Sequence, residues 1–265
     1  MTTEIRLEFR DVTKRFRNRN AENGADAEMT AVEHVSLSVT DGEVVSLIGP
    51  SGCGKSTLLN MGSGLEPASE GEVLVDAEQV TGPNAHVAFM LQKDLLLPWR
   101  SIRENVEFGL EIQKTARPER RDRSMRLLER CQLSEFADHF PHQLSGGMRQ
   151  RAALARTLAV DPTVLLLDEP FSALDAQTKM VLQQDLGQTL AEEGKTALFI
   201  THDLVESVAL SDRVLVMSAR PGRIIEEIEI DIPDRDQPLA RRQHPEVGRY
   251  VPHLMNLLHV GEARL

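Results

Sequence analysis

The sequence predicts an α/β protein with a mainly parallel sheet, an antiparallel β subdomain and an inserted helical subdomain. Three observations lead to this fold. Strand-like apolar runs alternate with helical stretches along the 265 residues. A glycine-rich turn at residues 49–57 lies where a buried strand passes into a helix. Helical periodicity with charged outer faces then replaces the strand pattern over residues 101–160, which predicts a helical insertion at about residues 93–162.

The composition limits the classes of protein to which this chain can belong. Its length allows either one sizeable core or one core with a small subdomain. The 30 Lys and Arg against 41 Asp and Glu give a net charge of -11, which argues against a general nucleic-acid binder. Cys53 and Cys131 are too few for a disulfide framework and fit a reducing cytosol. We expect neither a signal peptide nor a membrane span, so a membrane role would come through a partner chain.

The N-terminal part predicts strands separated by a polar loop. Residues 4–16 and 32–39 alternate like strands of the antiparallel subdomain. The segment 17–30 is polar and has no apolar period, which predicts a flexible surface loop. Asp41-Gly42 is a turn signal, and "EVVSLIG" directly after it predicts a buried strand.

The remaining elements follow in alternation. The stretch "KSTLLNMGSG" opens a helix, and further strands are predicted at "GEVLVD", "HVAFML", "PTVLLLDEP", "KTALFITHD" and "DRVLVMS". Helices are predicted at "SIRENVEFGLEI", "PERRDRSMRLLERC" and "SGGMRQRAALARTLAV". These patterns predict a core of residues 1–92 and 163–225, a helical subdomain of residues 93–162, and a tail of residues 226–265 with a β-like run and an amphipathic end.

The glycine-rich turn predicts a phosphate-binding loop. It fits G-x-x-x-x-G-K-[ST] at Gly49, Gly54, Lys55 and Ser56. Glycines let backbone N–H groups point at phosphate oxygens, and the following helix adds its positive end. We expect Lys55 to reach the β- and γ-phosphates, Ser56 to ligate Mg²⁺, and Thr57 to reach a phosphate further back. The other loop residues expected at the nucleotide are Pro50, Ser51, Gly52 and Cys53. An incidental strand–helix turn is the alternative, which the strand before and the helix after disfavour.

Two carboxylates after a buried strand complete the predicted chemistry. Asp168 would hold Mg²⁺ through water, and Glu169 would polarise the attacking water. Alone this pair is a weak signal, because any parallel strand can end in a charged turn. About 113 residues after Lys55, in the same α/β pattern, it is a strong one. The two motifs together predict a nucleoside triphosphatase and leave its class open.

One further motif makes the class specific. "LSGGMRQR" at residues 144–151 resembles the signature of ABC-type ATPases, and the resemblance covers roughly residues 4–225. It implies a RecA-like P-loop NTPase core that binds ATP with Mg²⁺. It also implies a head-to-tail homodimer, in which Ser145, Gly146, Gly147 and Gln150 of one copy close on the γ-phosphate held by the other. A bare helix cap is the alternative for the "SGG" run.

The same resemblance assigns four more residues. Gln92 would sense Mg²⁺ and the lytic water, and His202 would contact the γ-phosphate and position that water. Asp175, in "SALD", would contact the opposite subunit. Phe16 would stack on adenine, although it could also face the core. A lone histidine is more often structural, but His202 follows an apolar strand at the family's position.

The family resemblance also implies a membrane partner. A single cassette without a long coiled coil resembles the detached ATP-binding subunit of a transporter. The apolar run Leu95 to Trp99 resembles the groove that receives a helix of the membrane subunit, so permease subunits are expected to dock near Leu95–Arg100. The alternative is that these residues pack the helical subdomain. If permease subunits do dock there, the chain would lie peripherally at the cytoplasmic face of the inner membrane. It would then serve a solute-binding protein indirectly.

Only the similarity of two segments to a transporter subfamily indicates what the cargo is. "LPWRSIRENV" and "PGRIIEEIEIDIP" resemble the importer subfamily for nitrate, sulfonates, taurine and bicarbonate. An exporter cassette for lipid or drug is one alternative, and a soluble ABC-type ATPase is another. The tail is too short for a ligand domain, so we expect no built-in cargo sensor.

Overall fold

The computed structural model describes residues 4–18 and 27–259. In chain order its strands are β1 (Ile5–Asn18), β2 (Ala27–Thr40), β3 (Val44–Ile48), β4 (Glu70–Val75), β5 (Glu78–Gln79), β6 (Val87–Met90), β7 (Val164–Asp168), β8 (Thr196–Ile200), β9 (Arg213–Met217) and β10 (Ile224–Glu229). Its α-helices are α1 (Lys55–Gly62), α2 (Ile102–Ile112), α3 (Arg117–Arg130), α4 (Gly146–Ala159), α5 (Ala176–Glu192), α6 (Leu204–Leu210), α7 (Pro238–Arg241) and α8 (Val247–Leu257).

The central sheet has the order β10-β9-β3-β8-β7-β6. Its strands from β9 to β6 are parallel, and only β10 runs antiparallel, beside β9. Every residue of β3, β7 and β8 is buried, because helices or the second sheet cover both faces. The carboxyl ends of these strands therefore meet at one edge, where α/β proteins bind their ligands. This architecture confirms the predicted mainly parallel α/β fold.

The second sheet is antiparallel and has the order β2-β1-β4-β5. Its strands β1 and β2 are longer than predicted. Phe16 pairs with Met29 and Arg17 with Glu28, so both ends of the segment predicted as a loop over 17–30 continue the hairpin. Backbone pairing extends these strands where the side chains show no apolar period, which is why the sequence pattern missed it. The rest of that predicted loop lies outside the described residues.

The helical segment packs as a bundle of α2, α3 and α4 over residues 93–162. A capping box starts α2, because the Ser101 hydroxyl accepts from the Glu104 N–H and the Glu104 side chain accepts from the Ser101 N–H. The buried Asn105 amide donates to the carbonyl oxygens of Leu97, Arg100 and Ser101. This amide fixes the turn that carries the apolar run onto the bundle.

The C-terminal segment is docked on the core. An apolar cluster joins Ile48, directly before the phosphate loop, to Val214 on β9 and to Val247 and Leu254 on α8. The buried Arg241 guanidinium donates to two carbonyl oxygens at the end of α6. The tail therefore supports the strand and helix that lead into the site. Within residues 4–18 and 27–259, none of the helices has the length and apolarity required to cross a membrane.

Candidate functional site

The phosphate loop joins β3 to α1 and depends on glycine for its shape. Gly52 and Gly54 have φ angles of 75° and 109°, in the left-handed region. A Cβ on Gly54 would lie 2.4 Å from Val32 Cγ1. No other residue fits at Gly54 without moving β2, so the loop is held closely against the antiparallel sheet.

Lys55 and Cys53 line the inside of this loop. Lys55 is buried, and its Nζ donates to the carbonyl oxygens of Gly49 at 2.8 Å and Pro50 at 3.0 Å. Cys53 is also buried, and its thiol packs with the apolar core. Lys55 therefore places a cation inside the loop, whereas the side chain of Cys53 is buried and leaves only its backbone for a ligand.

Asp168 ends β7 next to the start of α1. It is buried, and its Oδ1 has no hydrogen-bond partner among residues 4–18 and 27–259. Burial raises the pKa of this carboxyl and nearby Glu169 adds to the effect, while a hydrogen bond from Ser56 lowers it. A buried carboxylate oxygen without a partner, beside a serine hydroxyl, is the donor set that Mg²⁺ prefers. Ser56 and Asp168 therefore fit the predicted magnesium ion.

Glu169 and His202 form a pair across the ends of β7 and β8. The distance from His202 Nε2 to Glu169 Oε1 is 2.7 Å. Glu169 has a φ of 52°, and its N–H donates to the Ile200 carbonyl at 3.1 Å, which fixes this unusual conformation. His202 is half exposed and Glu169 mostly covered. This arrangement offers a carboxylate base and a polar partner at one point.

These groups converge on one open groove of about 260 Å³. The residues that line it are Phe16, Met29, Ala31, Ser51, Gly52, Gly54, Lys55, Ser56, Thr57, Gln92, Glu169, His202 and Arg220. Phe16 is half-buried and faces the groove, which favours stacking on a ligand over packing in the core. The structure thus brings Phe16, Gln92, Glu169 and His202 together with the phosphate loop.

The signature residues lie outside this groove. Ser145 caps α4, with its Oγ accepting from the Met148 N–H at 3.3 Å, and Gly146 and Gly147 form the first turn. A Cβ on Gly147 would lie 3.2 Å from Leu174 Cδ2, so the signature adjoins the "SALD" loop. Asp175 in that loop is exposed and caps α5 by accepting from the Thr178 N–H at 3.0 Å. Ser145 and Asp175 are thus both exposed and both serve as helix caps within the chain.

Gln150 does not lie at the surface, where the prediction of a ligand contact would require it. It is buried, with its amide donating to the Glu169 carbonyl at 2.9 Å and accepting from the Ala173 N–H at 2.8 Å. Both ends of the side chain are therefore used within the chain, because α4 packs beneath the turn that follows β7. Gln150 supports the backbone of Glu169 and "SALD" instead of facing outward.

Arg220 is a groove residue that sequence reasoning missed. Its Nε and Nη2 donate to the Gly52 carbonyl at 3.0 and 2.8 Å. A Cβ on Gly222 would lie 2.0 Å from the Cys53 carbonyl oxygen, so this turn packs directly on the phosphate loop. The only sequence signal is the Pro221-Gly222 turn after a buried strand. That signal has value only once β9 is known to neighbour β3.

Comparison with known proteins places this geometry in context. The ABC transporter family model matches residues 32–172, just over half of the chain. An uncharacterised ABC transporter ATP-binding protein of Methanocaldococcus jannaschii is 44% identical over 230 residues, covering 86% of this chain and 84% of its own. The taurine import ATP-binding protein TauB of Yersinia pestis is 44% identical over 205 residues, covering 77% of this chain and 80% of its own.

Solved structures agree with the sequence comparisons. The ATP-binding cassette MJ0796, in a dimeric post-hydrolysis state bound to ADP and phosphate, superposes with a TM-score of 0.77 at 32% identity. The match covers 85% of this chain and 99% of that one. A second dimeric structure of the same bacterial ABC transporter cassette gives a TM-score of 0.78.

Proposed function

This chain belongs to the ABC transporter ATP-binding family, whose members hydrolyse ATP, and we propose that it powers uptake of a small anionic solute. The observation that carries the ATPase is the Glu169–His202 pair beside the phosphate loop. The 44% identity to a taurine import protein supports import of a sulfonate or a similar anion, such as nitrate. Partner membrane subunits would form the path, with the chain held at the cytoplasmic face of the inner membrane.

The residues that line the groove support a proposed role for each part of the nucleotide site. Phe16 and Lys55 both line the groove, where Phe16 would stack on adenine and Lys55 would pair with the β- and γ-phosphates. The loop N–H groups would bind the remaining phosphate oxygens. Ser56 and Asp168 would hold Mg²⁺, and Gln92, which lines the groove, would sense the ion. When bound, this ion supplies charge neutralisation on the phosphate oxygens.

Hydrolysis takes place between two copies of the chain. Ser145, Gly146 and Gly147 of one copy close on the γ-phosphate held by the other, and Asp175 contacts the opposite subunit. The dimeric state of the MJ0796 cassette supports this arrangement. Glu169 then takes the proton of the attacking water, while His202 holds that water and the γ-phosphate. Closing and reopening of the pair would move the membrane subunits.

The apolar run after Gln92 supports the membrane coupling. Leu96 is buried in the helical subdomain, but Leu95 and Trp99 remain 54% and 71% exposed. A tryptophan so exposed is rare on a surface that meets only water, and tryptophan is enriched at the centres of interfaces. Burial of Leu96 fits the alternative that the run packs the helical subdomain, whereas the exposure of Leu95 and Trp99 supports the proposal that they dock a membrane subunit.

Replacing Trp99 with alanine should weaken docking without affecting the nucleotide site. We expect affinity for the membrane subunits to fall at least about tenfold, because Trp99 would be an interface anchor. The measurement is the share of the chain in the membrane fraction of host cells, together with ATP affinity. Ile112→Ala, which removes another exposed apolar side chain (68%) from α2, is the control. Equal membrane fractions for Trp99→Ala and wild type would refute the docking role.

Replacing Arg220 with alanine should weaken ATP binding by about three- to tenfold, because the phosphate loop loses a double hydrogen bond and the groove a cation. Equilibrium binding of a fluorescent ATP analogue measures this. Arg223→Ala is the matched control, since Arg223 lies in the same turn but pairs with Glu33. Equal affinity for all three proteins would show that Arg220 is not part of the site.

Uptake in cells tests the proposed function directly. A host strain lacking this chain should lose uptake of labelled taurine, another sulfonate or nitrate. Wild type should restore that uptake, and Glu169→Gln should not. Unchanged uptake of all three solutes in the strain that lacks this chain would contradict import of a small anion. A defect in export instead of uptake would also contradict it.

A further inference from the structure

A partly buried ionic bridge joins the starts of α5 and α6. Lys179, in the first turn of α5, places its Nζ 2.8 Å from Asp203 Oδ2 and 2.7 Å from Glu206 Oε2. Asp203 directly follows His202, and Asp175 caps the same helix that carries Lys179. One side chain thus ties the "SALD" helix to the segment that carries the histidine.

The charges of the three groups favour keeping them paired. Glu206 is almost fully buried, and burial raises the pKa of this carboxyl against the opposing effect of Lys179. A lysine in the first turn of a helix is unfavourable, whereas carboxylates there are favourable. Burial lowers the pKa of Lys179, but hydrogen bonds to Asp203 and Glu206 outweigh this effect and raise it. Without Lys179, two neighbouring carboxylates would face each other at the start of α6.

The bridge is connected to the backbone on both sides of His202 through hydrogen bonds of Asp203. Asp203 Oδ1 accepts from the Glu206 N–H at 3.0 Å, and the Asp203 N–H donates to Thr201 Oγ1 at 3.0 Å. These bonds hold the residues on both sides of His202. A shift of Asp203 would therefore change the 2.7 Å contact between His202 Nε2 and Glu169 Oε1.

The C-terminal segment extends the same network. Gln183 on α5 is buried, and its Nε2 donates to Glu206 Oε2 at 2.7 Å. Its Oε1 accepts from Arg242 Nη2, also at 2.7 Å. Arg241 binds the carbonyl oxygens at the other end of α6. The C-terminal segment is thus connected to both ends of α6, through Arg241 directly and through Arg242 by way of Gln183.

We propose that Lys179 is a positioning residue for His202, and that the C-terminal segment stiffens this bridge through Arg242 and Gln183. The inference rests on the hydrolytic role proposed for His202. It gives the tail a part in turnover, not in sensing cargo.

Replacing Lys179 with methionine is expected to lower kcat for ATP about tenfold and to leave KM within about twofold. The reason is that Lys179, Asp203 and Glu206 are not among the residues that line the groove, so their loss should leave ATP affinity unchanged. Lys179→Arg should restore most of the activity, since arginine can pair with both carboxylates. Lys195→Met is the matched control, because Lys195 is also a mostly covered lysine and its Nζ lies 2.6 Å from Asp161 Oδ1. Neither Lys195 nor Asp161 lines the groove.

Asp203→Asn provides a second variant if Lys179→Met does not fold. It keeps the cap on α6 but weakens the bridge, and it should reproduce the loss in kcat. Arg242→Met should lower kcat about two- to threefold, with exposed Arg249→Met as its control. Unchanged kcat in both Lys179→Met and Asp203→Asn, or equal losses in the control variants, would overturn the proposal.

A His202→Ala background separates this proposal from the proposed role of His202. There, measured by release of radiolabelled phosphate, Lys179→Met should lower turnover by less than about twofold. The same tenfold loss in both backgrounds would show that Lys179 acts independently of the histidine. Normal turnover in His202→Ala itself would instead refute the proposed role of His202.

Discussion

Replacing Glu169 with glutamine is expected to lower ATP turnover about 10²–10⁴-fold while leaving ATP binding intact. Glutamine has nearly the same shape and can keep a hydrogen bond to His202, which lies 2.7 Å away in the wild type. It cannot take a proton from water, so only the chemical step is affected. Steady-state phosphate release gives turnover, and equilibrium ATP binding gives affinity.

The same variant should remain a dimer in the presence of ATP. If hydrolysis separates the two copies, blocking it holds them together, and light scattering after size-exclusion chromatography would detect about twice the monomer mass. Glu193→Gln, which changes an exposed carboxylate that does not line the groove, should behave like wild type. Turnover of Glu169→Gln within tenfold of wild type would mean that another group is the base.

Replacing Asp168 with asparagine should abolish turnover and yet stabilise the protein without nucleotide. Turnover should fall at least about 100-fold, since the predicted magnesium ligand is lost. The folded-state pKa of Asp168 is raised by burial, so the charged form opposes folding at neutral pH. Asparagine removes that charge, and the melting temperature measured without Mg²⁺ and ATP should rise. MgATP should raise the melting temperature of wild type but not of the variant.

Asp161→Asn is the control, and its melting temperature is expected to change in the opposite direction. A hydrogen bond from Lys195 lowers the pKa of Asp161, so its charge favours folding above the ordinary carboxyl range. Neutralising it should lower the melting temperature and leave turnover unchanged. A fall in the melting temperature of Asp168→Asn as well would contradict the view that its carboxylate is kept for a metal at the cost of stability.

The parts of the site that depend on short stretches were predictable. A strand, a glycine turn and a helix start fall within a few residues around Lys55, so local sequence determines the phosphate loop. Asp168 and Glu169 follow a buried apolar run, and parallel pairing of β3, β8 and β7 brings them to the same edge. The α/β fold itself was predictable for the same reason, because alternating periodicity is a local property.

The rest depends on packing between distant segments. Arg220 reaches Gly52 only because β9 lies beside β3, and sequence spacing gives no sign of that contact. The internal role of Gln150 depends on where α4 packs relative to the turn after Glu169. The bridge from Lys179 to the tail joins three elements that are far apart in the chain. Tertiary contacts of this kind have no local signature.

The most direct test of the central claim is the identity of the protein that accompanies this chain in its host. The tagged chain would be isolated from host membranes in mild detergent, and the proteins that co-purify would be identified by mass spectrometry. An ATPase subunit of an importer should bring with it a polytopic membrane protein, in smaller amount when Trp99 is replaced by alanine. Recovery of the chain from the soluble fraction alone, with no membrane protein attached, would leave the ATPase intact and contradict its coupling to transport.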